Sequence, residues 1–421
     1  MTDVHKIQPQ KSLAGPEARD LAGGFLLAGM LIGVLGSLMI AWLYQFDKDF
    51  REIGLHFLAF SGAALVGAFL VQRFLRALSF RWICMLSCLL ASVAYVELTF
   101  AWPPVPVGFR ILGVALLGAA SGVLIVTLLH ASKPYYDQNA ASTINFAGIL
   151  AGCGSFLVTL TVGGTYYVYS VQWETVLLAA IPLVFFVLFS RSSQLRRVTF
   201  QPQQARSKIL KSALNDVSSV AAVLFSLLLF FQIGNEWSLA GWLPLFLIHR
   251  LGINPESAIV VLALYFLALV AGRIVSQTLL SRVGHTKMLA GSIVAAMLGY
   301  LLLSFTNSLL GAALATILTG LAFAPIYALV AEKLGRRFDY RPGFFNGIFS
   351  LALTGGMLMP WLLGFVGYYL GTSYIMIVPA FGSVAVFILM LLILLESKLI
   401  GGDSDKSKPP ASKSLASSAG G

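Results

Sequence analysis

Residues 230–242, FFQIGNEWSLAGW, set Gln232, Asn235 and Glu236 in the middle of a long apolar run. A carboxyl group at bilayer depth is costly and normally faces a cavity, so Glu236 reads as a functional residue. Gln232 and Glu236, four apart, share one helix face, and Asn235 flanks it. Side-chain amides donate and accept, and flat rings cover C–H faces. Together with Trp237 and Trp242 this set has the chemistry to bind a small uncharged polyhydroxylated ring. At about 100° per residue Trp237 points well away from Asn235. The competing reading, hydrogen bonds that only tie helices together, is disfavoured by the tight clustering of three polar groups. An apolar cavity penalises the charged carboxylate, which makes Glu236 the candidate for taking up and releasing a proton.

Other polar residues within apolar runs are weaker candidates. Asn145 and Asn346 read as binding amides or as symmetric caps. Trp42 and Tyr44 read as an interfacial aromatic belt, with Gln45 beside them a candidate for substrate contact. Tyr327 follows Pro325 in a run expected to line a cavity, where a proline break serves gating. Trp361 after Pro360 reads as packing, His130 as a helix-end bystander, and Glu97 with Arg110 as a simple pair. Cys84, Cys88 and Cys153 lie in apolar runs without metal-ligand spacing and read as small buried hydrophobes. Calcium, zinc and nucleotide motifs are missing, so no cofactor beyond an ion gradient is expected. No metalloprotease signature, paired intramembrane aspartates or Ser-His-Asp set argues for an enzyme.

The elements that must position these residues are membrane spans. Of 421 residues 58% are hydrophobic and 11% charged, far from the composition of a soluble domain. The net charge of +11 sits in short loops rather than on a stripe, which argues against nucleic-acid binding. Apolar runs long enough to span a bilayer fall at 21–46, 54–75, 81–101, 109–131, 141–166, 173–190, 218–248, 255–280, 286–306, 309–332, 342–370 and 373–396. They predict an N-terminal arm at 1–20, a six-helix bundle at 21–190 and a second at 218–397. A basic linker at 191–217 joins the bundles, and a disordered tail follows at 398–421. The even-numbered loops, arm and tail carry 23 of the 28 Lys and Arg and the odd-numbered loops three, which puts both termini in the cytoplasm. The arm does not resemble a cleaved signal peptide. At an offset of 201, Gly33 matches Gly234, Arg81 matches Arg282, Asn145 matches Asn346, Gly154 matches Gly355 and Gly163 matches Gly364. A parallel repeat of this kind implies two pseudo-symmetric bundles with a site between them.

Twelve spans, a basic central linker and a six-plus-six repeat resemble the major facilitator superfamily over about residues 20–397. Its loop motif is recognisable in GRIVSQTLLSRVGHTK, residues 272–287, and its first copy at 72–82 is degenerate. The resemblance implies a gating latch built from Gly272, Arg273, Arg282, Lys287 and Arg110, with Arg282 and Lys287 placed on the cytoplasmic side to meet helix-end carbonyls and acidic residues of the partner bundle. Arg110 followed by Gly113, Gly118 and Gly122 is similar to the family's Arg-plus-glycine motif, where small residues allow close helix approach. Within the superfamily, IGNEWSLAGWL resembles the fucose and glucose proton symporter branch. That resemblance implies a bacterial inner-membrane symporter for a glucose-like hexose, a monomer that works by rocking two bundles about the site, with Glu236 carrying the proton. The alternative is an exporter of amphipathic drugs or lipids, because the first half offers mostly glycine and aliphatic residues to a cavity.

Overall fold

In a computed structural model the described residues are 13, 15, 18–43, 49–101, 105–136, 140–165, 171–197, 220–337 and 342–406. Among them, twelve helices are long and apolar enough to cross a membrane. They are α1 Arg19–Leu43, α2 Phe50–Ala77, α3 Phe80–Phe100, α4 Val107–Ala131, α5 Ala140–Thr165 and α6 Val171–Arg191. The second six are α7 Val220–Leu251, α8 Pro255–Val283, α9 His285–Phe305, α10 Leu309–Arg337, α11 Pro342–Tyr369 and α12 Ile377–Lys406. Each lies over a predicted span, but α12 continues to Lys406, into the stretch from 398 where a disordered tail is predicted. Residues 198–219, most of the linker, and 407–421 lie outside the described residues, as does Gln45.

Local chemistry sets several helix ends. Asp49 caps α2 by accepting the Arg51 backbone N–H at 2.9 Å. Asn254 precedes Pro255 at the first turn of α8, where a missing N–H costs nothing. A single residue, Gly284 at φ +81°, joins α8 to α9. Only glycine takes that angle without strain, which explains the Gly in the loop motif.

The helices pack as two equivalent sets. In the first half α1 meets α5, α2 meets α4 and α3 meets α6; in the second α7 meets α11, α8 meets α10 and α9 meets α12. Glycine makes the close crossings: a Cβ on Gly154 would lie 2.0 Å from the Leu26 carbonyl oxygen, and one on its repeat partner Gly355 2.0 Å from that of Phe230. Gly118 and Gly122 do the same for α4 on α2, each 2.0 Å from a carbonyl oxygen, of Phe60 and Ala64. The halves meet through α2 on α11, α5 on α8 and α1 on α7. Here too the repeat is visible, with Gly163 against Ile259 of α8 and Gly364 against Phe50 and Gly54 of α2. Below, the near face is the one holding the start of α1, and the far face is the opposite one.

Candidate functional site

Between the halves lies a cavity of about 170 Å³ that is partly open to solvent. Helices α1 and α5 contribute Gly29, Gly33, Gly36, Gly148, Gly152 and Ser155; α2 contributes Phe57, Phe60 and Ser61. From the second half come Glu236 and Trp237 of α7 and Tyr265, Phe266 and Arg273 of α8. The first-half wall is therefore glycine backbone and small side chains flanked by the α2 phenylalanines, and the second-half wall is aromatic with one acid and one base.

The polar cluster of α7 is divided by its own helical twist. Glu236 and Trp237 face the cavity. Asn235 is buried and turns to α12, donating to the Ser383 hydroxyl at 3.4 Å and lying on Gly382. Gln232 is only 2% exposed, does not line the cavity, and its amide nitrogen lacks a hydrogen-bond partner. The expectation that the three amide and carboxyl groups form one binding face thus becomes one residue in the cavity and two beside it. Tyrosines fix the backbone here: Tyr300 donates to the Asn235 carbonyl at 2.6 Å and Tyr265 to that of Glu236 at 3.4 Å.

Arg273 moves the other way. The loop-motif resemblance puts it in a latch, whereas the structure places its side chain on the cavity wall within electrostatic reach of Glu236. Among the described residues neither group forms an ion pair, those present being Arg51 with Asp49, His285 with Glu332 and Arg337 with Glu396. The Arg273 guanidinium lies over Gly148 of α5, where a Cβ would meet Nη1 at 1.6 Å. The Arg273 carbonyl accepts from the Asn145 amide across the halves at 3.3 Å and from the Ser276 hydroxyl at 2.9 Å. Asn145 is therefore an inter-half tie near the cavity floor. Asn346 lies on α11, with its side chain outside the described residues. Tyr327 is half-buried on α10, off the cavity lining but in electrostatic reach of Glu236, Arg273 and Tyr136.

Aromatic and glycine contacts close the far end. Trp242 is fully buried, donates Nε1–H to the Pro360 carbonyl at 2.9 Å, and packs its ring 5.8 Å from Phe57 of the other half. A Cβ on Gly36 would lie 2.1 Å from the Ala240 carbonyl oxygen, and one on Gly54 2.8 Å from that of Trp361. The Arg51 guanidinium stacks 3.9 Å above Tyr368 of α11. Trp242 thus belongs to this closure and not to the cavity.

The other resemblance-derived positions are dispersed. Gly272 seats α8 on Leu321 and Ala324 of α10. Arg282 and Lys287 are exposed beside the α8–α9 turn, where His285 pairs with Glu332 at 2.9 Å. Arg81, the repeat partner of Arg282, donates to the Ser190 carbonyl at the end of α6 at 3.2 Å. Arg110 is 4% exposed near the far face, 5.6 Å from the Trp42 ring centre. Glu97 packs on Gly113 with neither carboxyl oxygen hydrogen-bonded, so the expected pair with Arg110 is not formed. The α2 contribution, Phe57, Phe60 and Ser61, carries no motif. Arg273 did carry a signal, a charge within an apolar span.

The fold is similar to that of the nucleoside transporter NupG. A mutant crystal structure of it superposes with a TM-score of 0.72 at 14% identity, covering 89% of this chain and 99% of that one. A second NupG structure gives 0.68 at 15%, covering 90% and 99%. At such identities the likeness bears on fold alone. No protein of curated function matches the sequence. The sequence profile described as Major Facilitator Superfamily matches residues 21–353 and 225–419. With twelve apolar helices in two related halves around a shared cavity, the chain belongs to the Major Facilitator Superfamily and is a multi-pass membrane transporter.

Proposed function

We propose that the protein is a proton-coupled symporter of a small uncharged sugar, a glucose-like hexose, acting as a monomer in a bacterial inner membrane with both termini cytoplasmic. The observation that carries this reading is the position of Glu236, the one carboxyl among the described residues that line the cavity, on a wall it shares with aromatic side chains and Arg273. The Trp237 and Phe60 rings, with centres 6.5 Å apart across the halves, offer flat faces to sugar C–H bonds. Ser61, Ser155, Tyr265 and Arg273 add hydroxyl and guanidinium groups. A proton on Glu236 removes a charge that is costly to carry through a closed, low-dielectric state. The loaded, neutral form therefore reorients, and the empty, charged form resists. The fucose and glucose symporter branch remains the subfamily suggested by IGNEWSLAGWL.

A second reading, a nucleoside as substrate, is favoured by the aromatic wall, because Trp237, Phe57, Phe60 and Phe266 also suit a flat base. The full chain in liposomes with an inward proton gradient tests both, using labelled glucose and labelled uridine. Glucose accumulation that collapses to equilibration in Glu236→Gln is the expected result. Uridine accumulation alone would replace the hexose, and pH-dependent accumulation surviving in Glu236→Gln would refute the coupling role. Thermal protection by lysolipid but by neither solute would favour export of amphipathic compounds.

A further inference from the structure

A hydroxyl inside an apolar helix commonly folds back onto a carbonyl three or four residues earlier. Ser37 donates in this way to Val34, Ser121 to Gly118, Thr127 to Val123, Ser226 to Ala222 and Ser304 to Tyr300. Ser61 of α2 does not. It is 7% exposed, and its Oγ has no hydrogen-bond partner among the described residues. Ser87, Thr159, Ser238 and Thr316 are likewise unpartnered, but of these five only Ser61 lines the cavity between the halves. The other cavity serine, Ser155, already donates to the Gly29 carbonyl at 2.9 Å. Phe57, Phe60 and Ser61 fall at i, i+3 and i+4, so one face of α2 brings two rings and a free hydroxyl to the cavity. Both rings are set against the second half, with centres 5.8 Å from Trp242 and 6.5 Å from Trp237. We propose that Ser61 determines specificity, as the group through which the first half reads one hydroxyl on the edge of the substrate ring. This rests on the hexose reading of the same site.

A pyranose chair has two faces of C–H bonds and a rim of equatorial hydroxyls. Aromatic rings cover a face, and a side-chain hydroxyl next to them on the same helix meets the rim. The Ser61 O–H both donates and accepts, so it suits a sugar hydroxyl in either role. A substrate that supplies this hydroxyl satisfies a buried group that otherwise stays unpaired, whereas one that lacks it leaves Ser61 orphaned inside the complex. A site built this way rejects the incomplete analogue more strongly than a purely apolar pocket does. An epimer at the same carbon turns its hydroxyl axial, towards the ring faces, and loses the same bond. The remaining lining of α1 and α5, apart from Ser155, is glycine and aliphatic, so Ser61 is the uncommitted polar group that the first half offers. Glu236 and Arg273 are offered by the second. A bound sugar is thereby held from both sides of the boundary between the halves.

The test compares the full wild-type chain with Ser61→Ala in detergent. Dissociation constants come from thermal protection over a concentration series of glucose, its monodeoxy analogues and its single-carbon epimers. Without ligand, Ser61→Ala should melt no lower than wild type, because an unpartnered buried hydroxyl has been removed. Its affinity for glucose should nevertheless fall about 2- to 10-fold, the worth of one neutral hydrogen bond. At one ring carbon, the deoxy sugar and the epimer should bind wild type and Ser61→Ala equally. Analogues altered at the other carbons should lose affinity in parallel with glucose, as a double-mutant cycle requires for a single contact. Unchanged glucose affinity in Ser61→Ala overturns the inference, and so does a loss shared equally by every analogue. Either result leaves the hexose reading standing. A wild type that no hexose protects overturns that reading, and the role of Ser61 falls with it.

Discussion

Two glycine substitutions of nearly equal steric size should have opposite consequences. A Cβ on Gly36 would sit 2.1 Å from the Ala240 carbonyl oxygen, and one on Gly154 2.0 Å from that of Leu26, whereas ordinary contact begins at 3.4 Å. Each alanine therefore demands a separation of at least 1.3 Å at a helix crossing, the gap between 2.1 and 3.4 Å. Overpacking of this kind costs about 1–3 kcal/mol. The crossing at Gly154 joins α5 to α1 within the first half, so Gly154→Ala strains every state of the transporter. Its unfolding midpoint should fall by about 2–4 °C per kcal/mol, taking one half as the unfolding unit. Gly36, by contrast, joins α1 to α7 across the halves at the far end. That strain disappears when the far end opens, so Gly36→Ala shifts the conformational balance instead. About 2 kcal/mol corresponds to a change of roughly 30-fold in a two-state ratio. The assay is labelling of Ser61→Cys, on the cavity wall, by a membrane-impermeant maleimide applied from the far face of a chain lacking its three native cysteines. Labelling should accelerate by about 10-fold or more in Gly36→Ala, with little loss of midpoint, and stay unchanged in Gly154→Ala. Equal midpoint losses without any change in labelling would refute the distinction between crossings inside and between the halves.

Three further outcomes follow from buried or capping groups. Trp242→Phe removes the Nε1 hydrogen bond to the Pro360 carbonyl and should cost about 1 kcal/mol, while Trp242→Ala should cost about 3–5 kcal/mol, both read as unfolding midpoints in detergent. Glu174 is fully buried with neither carboxyl oxygen hydrogen-bonded, so Glu174→Met should raise the midpoint by about 1–3 kcal/mol equivalent. A fall would mean that the carboxyl has a stabilising partner in the membrane. Side-chain hydrogen bonds from Arg51 hold the Asp49 carboxyl below its ordinary value, against the opposing effect of burial. Because the folded value is depressed, this contribution is complete above the unfolded value near ~4 and fades only as pH falls through the folded one. Asp49→Ala should therefore cost about 1 kcal/mol through the lost cap, equally at pH 6 and pH 8, and a midpoint difference that varies between those pH values would contradict it.

The amino-acid sequence by itself determined the number of helices and the pairing of the halves. Spans are legible because each must offer about 20 apolar residues to lipid, a constraint met within one segment at a time. The glycine repeat is legible because a close crossing needs a small residue wherever it recurs, as at Gly154 and Gly355. Glu236 stood out for a similar local reason, a carboxyl in an apolar span. Which neighbour each helix face meets is a different kind of fact. Adjacent residues of α7 point about 100° apart, so Asn235 meets α12 while Glu236 meets the cavity, and only the placement of α12, α11 and α8 around α7 decides this. For the same reason Trp242 became part of the far closure, and Arg273, read from its motif as a loop latch, became the charge opposite Glu236. The first half's wall of glycines and α2 aromatics has no local signature at all. It becomes a surface only when five helices from two distant parts of the chain are brought around one space.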